Sequence, residues 1–147
     1  MIIRITFVLF LALCAGLQAA APVVNAKSAI LFDANSGRVL FKKNENAPRA
    51  VASTQKLLTA LLVAEAGNLS KRVTITVSDT RAQPTKLYLK PGDSYTRKEL
   101  LTALLVKSPN DVARALARDN AGSVGAFAKK MNARMVQLGG KDSHFVT

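Results

Sequence analysis

Two runs of β-forming residues, Ala29-Ile-Leu-Phe-Asp33 and Val39-Leu-Phe-Lys42, flank the polar segment Ala34-Asn-Ser-Gly-Arg38. Short apolar runs on either side of turn-forming residues are typical of a β-hairpin. Gly37 can adopt the positive φ that such a turn requires. The pattern therefore predicts an antiparallel hairpin near the start of the chain.

Apolar positions take a helical arrangement from Ser53 to Glu65, where they cover most of the helix circumference: Leu57, Leu58, Leu61, Leu62 and Val63. A helix that is apolar all round is expected to be buried. Gly67 and Asn68 end it, and Arg72-Val-Thr-Ile-Thr-Val77 then alternates with period two, which predicts a short exposed strand. Lys90-Pro-Gly-Asp93 predicts a turn.

The remaining chain is predicted to be helical, over about Arg97–Val106, Asp111–Asn120 and Ser123–Leu138, with Gly139 as the final stop. The order is strands, a buried helix, a little extended structure and a helical block. That order predicts an α+β fold, because alternating βαβ units are absent from the pattern.

The first 21 residues have the features of a secretory signal peptide. Arg4 precedes an apolar stretch, Ile5–Leu17, which is shorter than the roughly 20 residues of a membrane-spanning helix. Small residues follow at Ala19–Ala21. We therefore expect an exported protein of the periplasm or cell envelope, with residues 22–147 as the mature domain; an uncleaved anchor is the alternative.

Composition excludes several kinds of site. The 147 residues contain one cysteine and one histidine, so a disulfide framework, a thiolate zinc site, a cysteine nucleophile and a multi-histidine metal site are excluded. Lys and Arg number 21 against 9 Asp and Glu. This excess is compatible with a polyanionic partner or with a solvated basic surface, but no aromatic-studded basic stretch or nucleotide-binding loop indicates nucleic acid.

Ser53 and Lys56 stand at the start of the predicted buried helix. Of the nine serines, only Ser53 has a lysine three positions on. Residues three apart share a helix face, and burial lowers the pKa of a lysine, so Lys56 could activate the Ser53 hydroxyl as a nucleophile. The simpler interpretation is a helix-capping serine beside a surface lysine. Against it, a lysine in the first turn opposes the helix dipole.

A second candidate element is Ser108-Pro109-Asn110, between two predicted helices. Its simpler interpretation is a turn in which Pro109 stops one helix and Asn110 caps the next.

Together, Ser-x-x-Lys at a helix start and Ser-x-Asn about 55 residues later resemble the penicillin-binding serine acyltransferases. Further segments are similar to the D-alanyl-D-alanine carboxypeptidase family, over about Ala26–Thr147: Ala29–Asp33, Ser36–Phe41, Ala52–Thr59, Met131–Ala133, Leu138-Gly139 and His144-Phe145. The resemblance implies a penicillin-binding/serine β-lactamase-like transpeptidase fold in incomplete form. It comprises the N-terminal hairpin, the catalytic helix and the helical subdomain, without the C-terminal sheet strands.

By this resemblance, Ser53 is the nucleophile that attacks the penultimate D-alanine carbonyl of a peptidoglycan pentapeptide, and Lys56 is its base. Ser108 relays the proton to the leaving D-alanine, and Asn110 binds the substrate amide and orients Lys56. β-Lactams are then expected to acylate the same serine. No metal or organic cofactor is implied, since nucleophile and base are both side chains.

The family's third motif, Lys-Thr/Ser-Gly, does not occur in these 147 residues. In the family its strand supplies a cation for the substrate carboxylate, a backbone edge for the peptide and an oxyanion donor. We therefore expect impaired activity and a chain that is unstable or self-associates through uncovered apolar surface. Membrane association is expected only through an uncleaved signal or a missing C-terminal tail.

Two other functions stay open. One is a non-catalytic exported module that binds peptidoglycan through the retained half of the site. The other is a basic polyanion binder unrelated to the Ser-x-x-Lys motif, whose affinity should fall steeply with salt.

Overall fold

A computed structural model describes residues 22–146, so the predicted signal peptide lies outside the described residues. The chain divides into two compact units, with the boundary between Ala47 and Pro48. Each unit is described by itself.

The described part of the first unit contains the predicted hairpin. Strand β1 (Ala29–Phe32) pairs antiparallel with β2 (Val39–Lys43), with a register shift between Leu31 and Phe32. Gly37 has φ +69° and donates its N–H to the Asp33 carbonyl at 2.8 Å. The predicted hairpin and the role of its glycine are therefore confirmed.

The hairpin leaves much of its apolar surface exposed to solvent. Five large side chains are each about half exposed: Ile30, Leu31, Phe32, Val39 and Leu40. Successive strand residues point to opposite faces, so both faces of this two-stranded sheet are partly uncovered. A two-stranded hairpin is marginally stable alone, and such a surface favours contact with another polypeptide.

The second unit is mainly helical. Its elements are a 3₁₀ turn (Ala52–Thr54) leading into α1 (Gln55–Glu65), β3 (Arg72–Thr74), α2 (Val77–Thr80), β4 (Ser94–Thr96), α3 (Arg97–Lys107), α4 (Asn110–Ala121) and α5 (Val124–Gln137). The four longer helices confirm the predicted ones to within a residue or two at each end. Gly139, with φ +89°, follows the last of them, as predicted.

A second small sheet differs from the prediction. β3 pairs antiparallel with β4, which the sequence pattern did not predict, and Val73 lies opposite Tyr95. Val73 and Ile75 are each only 2% exposed. The expectation of an exposed strand is therefore wrong for one of its faces. The predicted turn at Lys90–Asp93 is confirmed by the bond from Asp93 N–H to the Lys90 carbonyl.

Helices α1, α3 and α4 pack around one core, and α5 closes a second, smaller core against α1 and α4. Leu100, Leu104, Val112 and Leu116 are all at most 2% exposed. Complete burial of such side chains stabilises the folded state by roughly 1.5–3 kcal/mol each. This packing fixes the start of α1 beside the junction between α3 and α4.

The prediction that α1 is buried all round is wrong. Leu57 is 63% exposed and Leu61 is 38% exposed, whereas Lys56 and Thr59 are buried. The apolar pattern showed how many leucines the helix carries, but not which side meets the core. One side of α1 therefore presents leucines to solvent, and the buried side includes a charged residue.

No helix among the described residues is both long enough and apolar enough to cross a bilayer.

We predict that replacing Phe32 and Leu40 together with lysine reduces self-association of the chain. Both apolar side chains are about half exposed on the hairpin, and charge on such a surface opposes contact with another copy. Light scattering across a concentration series measures the change. The control is Val136→Lys, at an exposed position on α5. A monomeric parent with a sharp, concentration-independent thermal melt contradicts the prediction.

Candidate active site

The turn before α1 holds Ser53 at the surface. Ser53 is exposed within the 3₁₀ turn, and Ala52 before it has φ +47°, a left-handed conformation that is unfavourable for a non-glycine residue. Thr54 occupies the N-cap position of α1, and it makes no side-chain capping bond. The interpretation of Ser53 as a helix cap is therefore wrong, and its hydroxyl stands one helical turn before Lys56.

Lys56 is a buried basic residue of the second unit. The residue is 7% exposed, and its Nζ donates to the Ser108 carbonyl oxygen at 2.5 Å and to Ser108 Oγ at 3.0 Å. None of the ion pairs in the described part of the chain involves Lys56. Burial lowers the pKa of its ammonium group, because desolvation disfavours the charged form. The surface-lysine interpretation is therefore wrong.

Ser108 lies at the junction of α3 and α4. It is the C-cap residue of α3, with φ +54°, and its N–H donates to the Leu104 carbonyl at 3.0 Å. Pro109 is buried and separates the two helices, as predicted. The structure thus brings together Lys56 and Ser108, which are 52 residues apart in sequence.

Asn110 is the first residue of α4, and Pro109 occupies the N-cap position. The Asn110 side-chain amide donates to the carbonyls of Gln83 at 2.9 Å and Pro84 at 3.1 Å. Its backbone N–H donates to Thr85 O at 2.7 Å. The interpretation of Asn110 as a helix cap is therefore wrong: it ties the 83–85 segment to the start of α4.

Asp111 is a residue that the sequence analysis missed. It is completely buried, and its carboxylate accepts hydrogen bonds from the backbone N–H groups of Leu87, Leu89 and Val112 at 3.0 to 3.2 Å. The available signal was an acidic residue in the first turn of a predicted helix, where the helix dipole favours negative charge. That signal does not identify the 87–89 segment as its partner.

A groove of about 310 Å³ adjoins these residues. Lys56 and Asn110 line it, with Arg81 and Arg114 among its basic residues and with an apolar part that includes Phe127, Ala128 and Met131. A concave site with apolar lining and a few polar groups is the usual form of a small-molecule or peptide site.

Two ion-pair clusters hold the elements around the site. Arg118 on α4 pairs with Asp79 on α2 at 2.8 Å, and Asp119 pairs with Arg97 at 2.6 Å and with Lys71 at 2.6 Å. Burial alone would raise the pKa of Asp79. Hydrogen bonds from Arg118 and Thr76 outweigh it, however, and the pKa of the carboxyl lies below its usual value. Asp79 is therefore ionised and paired in the folded state.

The structure brings the buried amine of Lys56 together with the hydroxyl of Ser108, whereas the hydrogen bonds of the described residues include none between Ser53 and Lys56. A lysine with a lowered pKa can exist as a free amine and accept a proton. Ser108 Oγ is within hydrogen-bond distance of that amine and can pass a proton on. In residues 22–146, no group of three or more His, Cys, Asp or Glu side chains could hold a metal ion.

A family model described as D-alanyl-D-alanine carboxypeptidase matches residues 16–147. This match spans most of the 147 residues. The chain belongs to the D-alanyl-D-alanine carboxypeptidase family.

Individual relatives agree with the family assignment. The chain is 37% identical over 125 residues to D-alanyl-D-alanine carboxypeptidase DacF of Bacillus subtilis, covering 82% of this chain and 32% of that protein. It is 38% identical over 122 residues to D-alanyl-D-alanine carboxypeptidase DacB2 of Mycobacterium tuberculosis, covering 83% of this chain and 42% of that protein. The chain therefore spans less than half the length of these relatives.

A crystal structure of D-alanyl-D-alanine carboxypeptidase from Mycobacterium tuberculosis has the same fold. The TM-score is 0.83 at 35% sequence identity, over 88% of this chain and 49% of that one. The predicted α+β class and the penicillin-binding DD-peptidase fold are confirmed. The match also confirms that the chain corresponds to only part of that fold.

We predict that Asp79→Asn lowers the free energy of unfolding by about 2 kcal/mol at pH 7, because the partly exposed guanidinium of Arg118 loses its charged, buried partner. The folded-state pKa of Asp79 lies below the unfolded value of about 3.9, so its contribution is present above that value and is lost as pH falls through the folded pKa. The difference between parent and variant should therefore shrink between pH 5 and pH 2.

Urea unfolding at several pH values measures this difference. Asp142→Asn, at an exposed position, is the matched control and should leave the stability nearly unchanged. A parent-to-variant difference that is constant over this pH range contradicts the prediction.

Proposed function

We propose that this chain carries the acylation centre of a serine-type D-Ala-D-Ala carboxypeptidase that acts on peptidoglycan pentapeptides, with Ser53 as nucleophile and Lys56 as base. One observation carries the proposal. Lys56 is buried, has no carboxylate partner in the described part of the chain, and donates to both oxygens of Ser108. A structural lysine would be expected at the surface or beside an acid.

In the first step, the free amine of Lys56 removes the proton of the Ser53 hydroxyl. Ser53 Oγ then attacks the carbonyl carbon of the penultimate D-alanine. Backbone N–H groups of the 3₁₀ turn and of the first turn of α1, including that of Ser53, lie at the N-terminal end of the helix, where they can stabilise the developing oxyanion. The lowered pKa of Lys56 favours the unprotonated form that this step needs.

In the second step, the tetrahedral intermediate collapses and the terminal D-alanine leaves. Its nitrogen needs a proton, which Lys56 returns through Ser108 Oγ, 3.0 Å from Lys56 Nζ. The Asn110 amide nitrogen is already bonded to Gln83 and Pro84. We therefore assign the substrate contact to its side-chain oxygen, which can accept from a substrate N–H.

Water then hydrolyses the Ser53 ester and releases the shortened peptide. Every proton transfer uses a side chain of this chain, so the proposed reaction includes no cofactor or metal. A β-lactam would acylate Ser53 by the same attack, because its strained amide presents an equivalent carbonyl. Given the predicted signal peptide, we place the activity in the periplasm or cell envelope.

A second candidate is a non-catalytic exported module that binds peptidoglycan. The groove beside Lys56 and Asn110 supports it, because a concave surface with the basic residues Arg81 and Arg114 and an apolar part can bind a peptide without acylation. Binding to purified cell wall that survives Ser53→Ala would favour this candidate.

We predict that penicillin forms a covalent adduct on the parent chain and none on Ser53→Ala. The matched control is Ser123→Ala, because Ser123 caps α5 by accepting from the Ala126 N–H at 3.0 Å. Ser123→Ala should lower the free energy of unfolding by about 1 kcal/mol and retain the adduct. Ser53→Ala should show the reverse, with stability kept and the adduct lost. Intact-mass spectrometry and circular dichroism measure both properties.

The absence of an adduct on a folded parent chain would contradict the acylation proposal and favour the binding module. An adduct that persists in Ser53→Ala would show that another residue is the nucleophile.

We predict that Lys56→Met slows acylation by at least about a hundredfold, since the base is lost. The same change should raise the free energy of unfolding at pH 7, because the buried site no longer disfavours a charged group. In the parent, the pKa of Lys56 is lower folded than unfolded, so stability should rise as pH increases toward the unfolded value of about 10.4. The variant should lack this rise.

Rates of reaction with a fluorescent penicillin and urea melts from pH 7 to pH 10 test the two effects. Lys129→Met, at an exposed position on α5, is the control and should change neither. A Lys56→Met variant that is markedly less stable than the parent would show that the ammonium group stabilises the fold.

A further inference from the structure

Asp111 is a buried anion that the proposed reaction does not use. It is 0% exposed, and none of the ion pairs in the described part of the chain includes it. Its hydrogen-bond partners are backbone N–H groups: Leu87 and Leu89 from a distant segment, and Val112 from its own helix. Charge-assisted bonds of this kind are stronger than bonds between neutral groups. The carboxylate therefore holds the 87–89 segment tightly against the start of α4.

The neighbouring residue strengthens the same attachment. Asn110 bonds to the carbonyls of Gln83, Pro84 and Thr85, as described above. Asn110 thus supplies donors to the 83–85 carbonyls, while Asp111 supplies acceptors to the 87–89 N–H groups. Asn110 and Asp111 therefore attach both ends of the 83–89 segment to the start of α4, and α4 cannot shift relative to that segment without breaking these bonds. We call the hydrogen bonds from Asp111 to residues 87–89 the Asp111 clasp.

Tyr88 lies between Leu87 and Leu89, whose N–H groups are bound by Asp111, and it has φ +58°. Ser108, three residues before Asp111, has φ +54°. Non-glycine residues in this conformation persist only where the surrounding structure holds them. Ser108 is fixed upstream by its bond to Leu104 O in α3 and downstream by the start of α4. The hydrogen bonds of Asp111 attach that downstream end to residues 87–89.

The position of Ser108 determines both contacts of Lys56, because Nζ donates to its carbonyl oxygen and to its Oγ. We propose that Asp111 is a positioning residue: by clasping residues 87–89 to the start of α4, it holds Ser108 where its two oxygens receive the Lys56 amine. The proposal deepens the proposed function, since it names a residue that supports the proton path of that site. Asp111 itself touches neither Ser53 nor Lys56 in the hydrogen-bond pattern of the described residues.

The test compares Asp111→Ala and Asp111→Asn with Asp79→Asn, which alters an equally buried carboxylate away from the Lys56–Ser108 contact. The full chain is exposed briefly to an acetylating reagent. Peptide mass spectrometry then gives the acetylation rate of Lys56 relative to that of exposed Lys129 in the same sample. Urea melts give the stability of each variant, and a fluorescent penicillin gives the acylation rate of Ser53.

We expect Asp111→Ala to raise the relative acetylation of Lys56 by at least about fivefold, because local release of Ser108 exposes the amine. Asp111→Asn keeps one acceptor oxygen and should lie between alanine and the parent. Asp79→Asn should lose stability without changing the ratio. Where penicillin acylates the parent, Asp111→Ala should slow that reaction by about tenfold, with Asp79→Asn unaffected.

An unchanged ratio in Asp111→Ala, or an equal rise in Asp79→Asn, would overturn the proposal. Failure of both Asp111 variants to fold would also overturn it, since the residue would then support the fold as a whole. A parent chain that gives no penicillin adduct would defeat the proposed function. The Lys56 acetylation ratio would still decide whether Asp111 positions the amine.

Discussion

The site depends on one unfavourable placement: the ammonium group of Lys56 is buried beside Ser108, without a carboxylate partner in the described part of the chain. Isolated burial of a charge costs several kcal/mol unless the group is hydrogen-bonded or loses its proton. The structure offers two neutral oxygens of one residue, which stabilise the cation less than a carboxylate would. Burial of the ammonium group lowers the pKa of Lys56, because desolvation disfavours the charged form. The lowered pKa makes the amine available as a base.

Other buried charges in the second unit are treated differently. Asp79 and Asp119 are each paired with arginine, and those pairs join α4 to α2 and to the start of α3. Among residues 22–146, neither Lys56 nor Asp111 has an ion-pair partner, and both lie close to the start of α4. The paired charges stabilise the scaffold around the site. Lys56 instead hydrogen-bonds to Ser108, as a proton path requires, and Asp111 hydrogen-bonds to backbone N–H groups, which holds the 87–89 segment in place.

Helical periodicity predicted the four longer helices because each buries an apolar side of its own. The pairing of Ser53 with Lys56 could also be predicted, because the two residues are only three positions apart in the sequence. The small sheet of β3 and β4 was missed, because its partner strand is three residues long and has no distinctive alternation. Asp111 was missed for a deeper reason. Its long-range partners are main-chain N–H groups more than 20 residues away, and every residue except proline carries such a group, so no side-chain pattern in the sequence marks them.

Some backbone conformations also follow from the residue type alone, whereas others depend on contacts between distant parts of the chain. Within the described residues, five non-glycine residues have positive φ, and two of them, Asn44 and Asn68, are of a type that tolerates it in turns. The other three are Ala52, Tyr88 and Ser108, which lie beside the candidate nucleophile, within the Asp111 clasp and against Lys56. Such conformations cost about 1–3 kcal/mol each, so they persist only because long-range contacts hold them. The local preferences of these three residues oppose the conformations they adopt. The packing of the buried helices stabilises these three conformations. The geometry of the site therefore depends on the packing of the core.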